Sequence, residues 1–374
     1  MIRIAALILA GLLTVAMHSV GQQAGVTQKP LRVAVAGLSH DHAHMIMGRK
    51  MKGDIEIVGI AEPNRELAAR YAKQYSFDLS LVYPSLEALL AKTKPEAVLA
   101  FNAIFDHLRV VELCAPLGIH VMVEKPLAVS WDHGQKMLAL AKKHNIHLLT
   151  NYETTWYGSN ATAYQLAVKE QKLGDLRKIV FHTGHPGPKE IGCSKEFLAW
   201  LTDPVQNGAG ALNDFGCYGA NLSTWLMQGE QPVAVTAVTQ QIKPDVYPKV
   251  DDEATIIITY PKTQVIIQAS WNWPYSRKDM ELYGLTGYVF CKDAVNMQVR
   301  DNERTQAYEM KANGLSADIA EPFVYLAKVI RGEIKMSAYD LSAPANNEMV
   351  VKILEAAKVS ARNGKSVIWK ELYK

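Results

Sequence analysis

Cysteine is scarce in this chain, with four residues in 374, at positions 114, 193, 217 and 291. Their spacings form no CxxC pair and no zinc-ligand pattern, so neither a redox dithiol nor a structural zinc organises the fold. Cys114 lies in an apolar helical stretch and reads as a buried thiol, while spacing alone leaves a Cys193–Cys217 bridge open. Excess charge is also lacking. The net charge is +3, with lysines scattered rather than gathered into a stripe, and that excludes a nucleic-acid surface. Low-complexity tracts and internal repeats are missing, which leaves an ordinary globular chain long enough for two cores.

The one long apolar run, from Ile4 to Met17, is shorter than the roughly 20 residues a membrane helix needs. Arg3 precedes it and the small residues Ser19 and Gly21 follow it, so residues 1–21 read as a cleaved secretory signal. Gln22 is then the mature start, and 22–30 is a linker. A single arginine makes no twin-arginine signal, and no cysteine near residue 21 offers a lipid anchor. The expectation is Sec-type export to the periplasm, or secretion where there is no outer membrane, with no membrane attachment after cleavage.

From 31 to 150, β-rich runs alternate with amphipathic helical runs. LRVAVAG, IEIVGIAE, LSLVY, EAVLAFN, IHVMVEKP and IHLLTN read as strands, with helices over 43–51, 64–75, 85–92, 105–117 and 130–144 between them. Continuously apolar strands joined by helices predict a Rossmann-type, doubly wound parallel sheet covered on both faces. Beyond about 175 the rhythm changes. LRKIVFHT, AVTAVTQQI, EATIIITY, TQVIIQASWNW and KDMELYG follow one another, with YPKTQ as a hairpin loop and helices near 195–202, 214–228, 316–331 and 345–362. The fold class is therefore α/β: a dinucleotide-type domain over 31–150, then an α+β domain over 151–374. The second domain is expected to carry a large, mostly antiparallel open sheet with its strands in sequence order.

A dinucleotide turn wants three glycines between strand and helix. Here Gly37 supplies the first and Leu38 follows it, while Ser39 and His42 stand where the second and third belong. The Ser39 hydroxyl suits a phosphate; the bulkier His42 must point away or disturb the packing of helix on strand. Glu62 closes the second strand, where a carboxylate accepts hydrogen bonds from the ribose hydroxyls and repels a 2′-phosphate. NAD is favoured, and nearby Arg65 keeps NADP open. The rival reading of His40-Asp41-His42 is the zinc-binding start of an amidohydrolase-type barrel. That barrel needs βα units to the end of the chain, and these stop near 150, so no metal is expected.

Three segments then converge. VMVEKPLAVS (121–130) puts Glu124-Lys125-Pro126 at a strand end, AFNAIFDHLRVVELCAPLGIHV precedes it, and GAGALNDFGCYGANLSTWLMQG (208–229) comes later. Together they resemble the Gfo/Idh/MocA oxidoreductase family over nearly all of 31–370. The resemblance implies a cofactor site drawn from Gly37, Leu38, Ser39, His42, Glu62, Asn102, His107, Glu124 and Lys125. It also implies Lys125 on the reacting oxygen and Asp214 with Tyr218 as the acid–base pair. Standing four apart, these two share one face if the segment is helical. Most relatives carry histidine at position 218, and the glucose–fructose oxidoreductase branch carries tyrosine. A phenol titrates near pH ~10, so the Lys125 cation is expected to ease its deprotonation.

Other positions depart from the family. Asn221 replaces a frequent aspartate, and Asn151-Tyr152-Glu153 stands where relatives often show an arginine. Tyr152, Trp156, His185, Trp200, Asn221 and Trp273, with Trp271, are the candidates to meet a sugar face or edge. The resemblance implies an NAD(P)-dependent oxidoreductase of a sugar or cyclitol carbinol, pairing into a dimer or tetramer through the second sheet. The signal adds export, and with free nicotinamide nucleotide scarce outside the cytoplasm the cofactor is expected to be held tightly. The competing expectations are a redox-neutral glycosidase or epimerase working through a transient keto-sugar, and a sugar-binding relative without turnover.

Overall fold

The computed structural model describes residues 29–50, 52–317 and 319–373, so the signal-like segment and nearly all of the linker lie outside it. LRVAVA (β1, Leu31–Ala36) is buried at every position but Arg32, as a strand covered on both faces must be. Similar apolar runs form β2 (Ile55–Ala61) and, after a two-residue edge strand β3 (Val82–Tyr83), β4 (Ala97–Ala100), β5 (His120–Glu124) and β6 (Leu148–Asn151). All pairs are parallel, in the order β3-β2-β1-β4-β5-β6. The crossovers carry α1 (Ala43–Met47), α2 (Arg65–Tyr75), α3 (Leu86–Lys92), α4 (His107–Cys114) and α5 (Trp131–Lys143). Asn64, Ser85 and Ser130 start α2, α3 and α5 by accepting backbone N–H groups three residues on (3.1, 3.2 and 3.3 Å). Only the last two residues of LSLVY are strand. Its first three form a 3-10 turn, because the Asp78 carboxylate accepts from Ser80 N (2.7 Å) and bends the chain.

Among the described residues the second sheet has nine strands. In chain order these are β7 (Leu176–Gly184), β8 (Ala234–Gln240), β9 (Glu253–Thr259), β10 (Gln264–Ser270), β11 (Arg277–Gly284), β12 (Tyr288–Cys291), β13 (Asn296–Arg300), β14 (Tyr308–Lys311) and β15 (Val367–Ile368). Their spatial order, β14-β13-β12-β11-β7-β10-β9-β8-β15, is not the sequence order expected. β7 is inserted between β11 and β10 and runs parallel to β10. Its inward residues Ile179 and Phe181 are fully buried, which places it at the centre, and the long connection over 185–233 lets β8 start near the far edge. Helices α6 (Gly158–Tyr164), α7 (Lys195–Leu201), α8 (Ala211–Leu226), α9 (Pro322–Ile330), α10 (Pro344–Asn363) and α11 (Trp369–Leu372) complete the chain. The sequence gives no periodic signal for α6, which is too short for one.

α8 lies on the inner face of the second sheet, and almost all of its residues are buried. α9 turns back to the first sheet, where Phe323, Tyr325 and Leu326 pack with Leu31, Val33 and Met122. Val351 of α10 likewise joins Met137 and Ala141 of α5. Among the described residues no helix is long and apolar enough to cross a membrane.

Candidate active site

In a doubly wound sheet the strand order reverses at one point, and there the loops splay apart to leave a crevice. Here that point is between β1 and β4. Gly37, just past β1, has φ 82°, and a Cβ on it would stand 2.7 Å from the Asn102 Cβ just past β4. The backbone therefore approaches closely, and Asn102 Oδ1 is buried there with no partner among the described residues. Glu62 is 4% exposed, and its two oxygens accept from Leu38 N and Asn64 N, both at 2.8 Å. Burial raises this carboxyl, and the two N–H groups only partly offset that. Each oxygen keeps a lone pair. A glycine cradle, an unpartnered amide oxygen and a fixed carboxylate fit a dinucleotide.

His42 does point away from the turn. Its Nδ1 lies 2.8 Å from Glu124 Oε2, and Glu124 Oε1 accepts from Asn151 Nδ2 (2.6 Å). His40 Nδ1 accepts from His42 N (3.0 Å). These three side chains come close enough to hold a cation, but both Nδ1 atoms are already engaged in hydrogen bonds. His107 is fully buried, with Nδ1 donating to Leu127 O (3.1 Å) and Nε2 without a partner among the described residues. Burial pulls its pKa down to about 4, so it is neutral.

Lys125, just past β5, reaches across to α8. Its ammonium pairs with Asp214 Oδ1 and donates to Asp214 O (3.1 Å), and both side chains are buried. Trp271 Nε1 donates to Asp214 Oδ2 (2.9 Å), so this tryptophan orients the carboxylate instead of stacking on a sugar. Burial alone would raise Asp214, but Lys125 and His185 outweigh it and hold the carboxyl below its ordinary range. Tyr218, one turn on, shares the cleft. Its ring faces two ammonium groups, Lys125 at 5.2 Å and Lys278 at 5.5 Å from the centroid. The expected easing of its deprotonation does not occur. Burial first, and then the nearby Glu153 carboxylate, drives the phenol well above its usual pKa. His185 Nδ1 accepts from Gly187 N (3.0 Å), which leaves the proton on Nε2, and burial brings its pKa to about 4. These groups open on a cleft of about 380 Å³ that His40, His42 and Lys278 also line.

The placement of α8 depends on Asp251. Its carboxylate accepts from Gly210 N (2.8 Å) and Leu212 N (2.7 Å), and a Cβ on Gly210 would lie 1.7 Å from Asp251 O. Losing this cap through Asp251→Ala should cost about 1–2 kcal/mol, read as a lower urea midpoint at unchanged slope. An unaltered midpoint would remove the cap from the account.

Several expected substrate residues lie elsewhere. Asn221 is fully buried and binds Leu341 O and Asn346 Oδ1, a tie between α8 and α10. Tyr152 is fully buried too; its hydroxyl donates to Asn347 and its ring meets Tyr218 edge-on. Trp156 donates to Asn151 Oδ1 (3.0 Å) and packs on Tyr325. Trp200 backs His40 and donates to Ser39 O (3.3 Å). Trp273 lies under the Arg277 guanidinium (4.5 Å) against His182. In each case aromatic bulk or a spare amide serves packing. Cys193 and Cys217 are free thiols, pushed up to about 12 mainly by burial, so the bridge left open by spacing is not formed. Lys278 was not anticipated. The period of KDMELYG puts it on the same inward face as Met280 and Leu282, and a charge at such a position is the signal that could have found it.

Residues 162–290 match the GFO/IDH/MocA C-terminal domain, and residues 31–152 match an oxidoreductase family with an NAD-binding Rossmann fold. The trans-1,2-dihydrobenzene-1,2-diol dehydrogenase of Xenopus tropicalis is 29% identical over 188 residues, 49% of this chain and 52% of the relative. The chain thus spans about half the length of that curated relative. The dTDP-3,4-didehydro-2,6-dideoxy-alpha-D-glucose 3-reductase of Streptomyces antibioticus is 20% identical over 82% of this chain and 90% of its own length. Among solved structures, the aldose-aldose oxidoreductase of Caulobacter crescentus with glycerol superposes with a TM-score of 0.74 at 21% identity, covering 91% of this chain and 100% of that one. The inositol dehydrogenase homolog of Azotobacter vinelandii, with NADH and myo-inositol, gives 0.74 at 15% identity, covering 91% and 98%. At these identities the likeness is one of fold. The chain belongs to the GFO/IDH/MocA oxidoreductase family, with residues 31–152 as its NAD-binding Rossmann domain.

Proposed function

We propose that this protein interconverts a carbinol and a carbonyl on a sugar or cyclitol, in the tyrosine-bearing branch of the family. The observation that carries the reading is the Lys125–Asp214 pair, with Tyr218 and His185 in one cleft beside the switch-point crevice. Gly37, Leu38, Ser39, Glu62 and Asn102 hold the dinucleotide, and His42, His107, Glu124 and Lys125 close its far side. The bound nicotinamide supplies the hydride-accepting and hydride-donating chemistry. The protein's own part is to manage the oxygen. Lys125 donates to it, His185 offers its Nε2–H, and Tyr218, held protonated, gives its proton to a carbonyl oxygen as the hydride arrives.

The reading includes Sec-type export to the periplasm and a cofactor kept tightly bound outside the cytoplasm. It also includes pairing of chains through the outer face of the second sheet, where Val180, Ile257 and Ile266 are half-buried and Val238 is 64% exposed. The test is the appearance of NADH absorbance when purified protein meets NAD and a panel of aldoses, glycosides and inositols. Binding of NAD without reduction by any of them would overturn the enzyme reading. Glu62→Ser should narrow the preference for NAD over NADP in fluorescence titrations, since the repulsion of a 2′-phosphate goes with the carboxylate. Tighter NADP binding by the unmodified protein would sink that assignment.

A further inference from the structure

Beside the cleft lies a second cavity of about 420 Å³, and the two share Ser276 and Lys278 as lining residues. At their junction stands the Lys278 ammonium, over the Tyr218 ring on one side and held by Glu153 (2.8 Å) on the other. The Tyr157 hydroxyl donates to the second oxygen of that carboxylate. The cavity exists because β12 ends at Cys291, paired with Met280, so Arg277–Asp279 have no ladder partner on that side among the described residues. Both volumes sit near the lower end of the ~300–1,000 Å³ usual for small-molecule sites, room for roughly one saccharide ring each.

The chemistry of the wall selects the occupant. Three cationic and four acidic side chains line it, and several are already paired, Arg277 with Asp279 at 2.6 and 2.7 Å among them. That balance gives a diphosphate or other multiply charged anion no excess of positive charge to bind. Neutral hydroxyls both donate and accept, so they can insert among fixed carboxylates and cations without carrying charge themselves. Tyr157, Tyr275 and Phe290 add aromatic surface, on which the C–H face of a sugar packs. Tyr275 is 56% exposed at the mouth, with the Arg277 guanidinium 5.6 Å from its ring centroid.

We infer that this cavity is a second saccharide subsite, and that the substrate is a neutral glycoside or disaccharide whose reacting ring fills the cleft while the next ring lies against Tyr275. The inference rests on the oxidoreductase reading above. Its test measures NAD reduction with D-glucose, D-galactose, maltose, cellobiose, lactose and UDP-glucose, for the unmodified protein and for Tyr275→Ala. The expected result is that at least one disaccharide exceeds its own monosaccharide about tenfold in kcat/KM, and that Tyr275→Ala erases this advantage but leaves the monosaccharide rate nearly unchanged. Equal rates for one and two rings, a disaccharide advantage that survives Tyr275→Ala, or a preference for UDP-glucose overturns the subsite and leaves the oxidoreductase reading standing. No NAD reduction with any sugar overturns that reading instead, and the subsite with it.

Discussion

Tyr218→Phe is expected to lower kcat for reduction of the carbonyl substrate by about 10²–10⁴-fold, the usual worth of a positioned proton donor. The change removes one oxygen from a ring whose packing needs none. Tyr152 meets that ring edge-on at 5.8 Å, Phe215 stacks at 5.9 Å, and the two ammonium groups face its π cloud. The variant should therefore fold and bind NAD as the unmodified protein does. Because burial holds the phenol above its ordinary range, the pH–rate profile of the unmodified protein should show no phenol ionisation at neutral pH. Near-normal turnover in the Phe variant would make Tyr218 a packing residue and direct attention to His185.

The second large effect is on stability. Lys125→Met should cost about 3–5 kcal/mol, because it leaves the Asp214 carboxylate buried without its cation, and Asp214→Leu should cost a similar amount for the converse reason. The double variant should recover most of the loss, since two apolar groups fill the space without a charge to strand. Unfolding free energies from urea titrations of all four proteins close the cycle, and additive losses would mean that the pair does not act as a unit. The pH dependence has opposite signs in the two backgrounds. In the unmodified protein Asp214 is held below its ordinary pKa, so its contribution is present above the unfolded carboxyl range and is lost as the pH falls through the lower folded value. In Lys125→Met only burial and weaker contacts remain, the carboxyl rises, and the variant is least destabilised in acid.

The first domain was largely legible in the sequence because its strands are buried on both faces, and LRVAVA or IEIVGIA can hardly be anything else. The second sheet was legible strand by strand but not in its order. Alternation along β7 shows which face is inside, and nothing local shows that β10 rather than β8 lies beside it. In the site, Lys125, Asp214 and Tyr218 were found through motifs at chain positions that the fold brings together. The aromatic candidates failed for a general reason: a tryptophan has the same composition whether it stacks on a ligand or, like Trp271, aims its N–H at a carboxylate. Lys278 was missed because its importance comes from the strand that carries it.

The return of α9 to the first sheet sets a timetable for a chain exported as proposed. An export pore that has released Leu31–Tyr152 has delivered every strand of the nucleotide-binding half, yet the wall supplied by Phe323, Tyr325 and Leu326 has still to come through. The apolar flank around Leu31, Val33 and Met122 stays wet until nearly the whole chain has emerged, so the first half to arrive is among the last to be finished. A fragment cut after residue 152 exposes that flank permanently. Such a fragment should be sticky, and its capacity for nucleotide is no measure of the capacity of the intact protein.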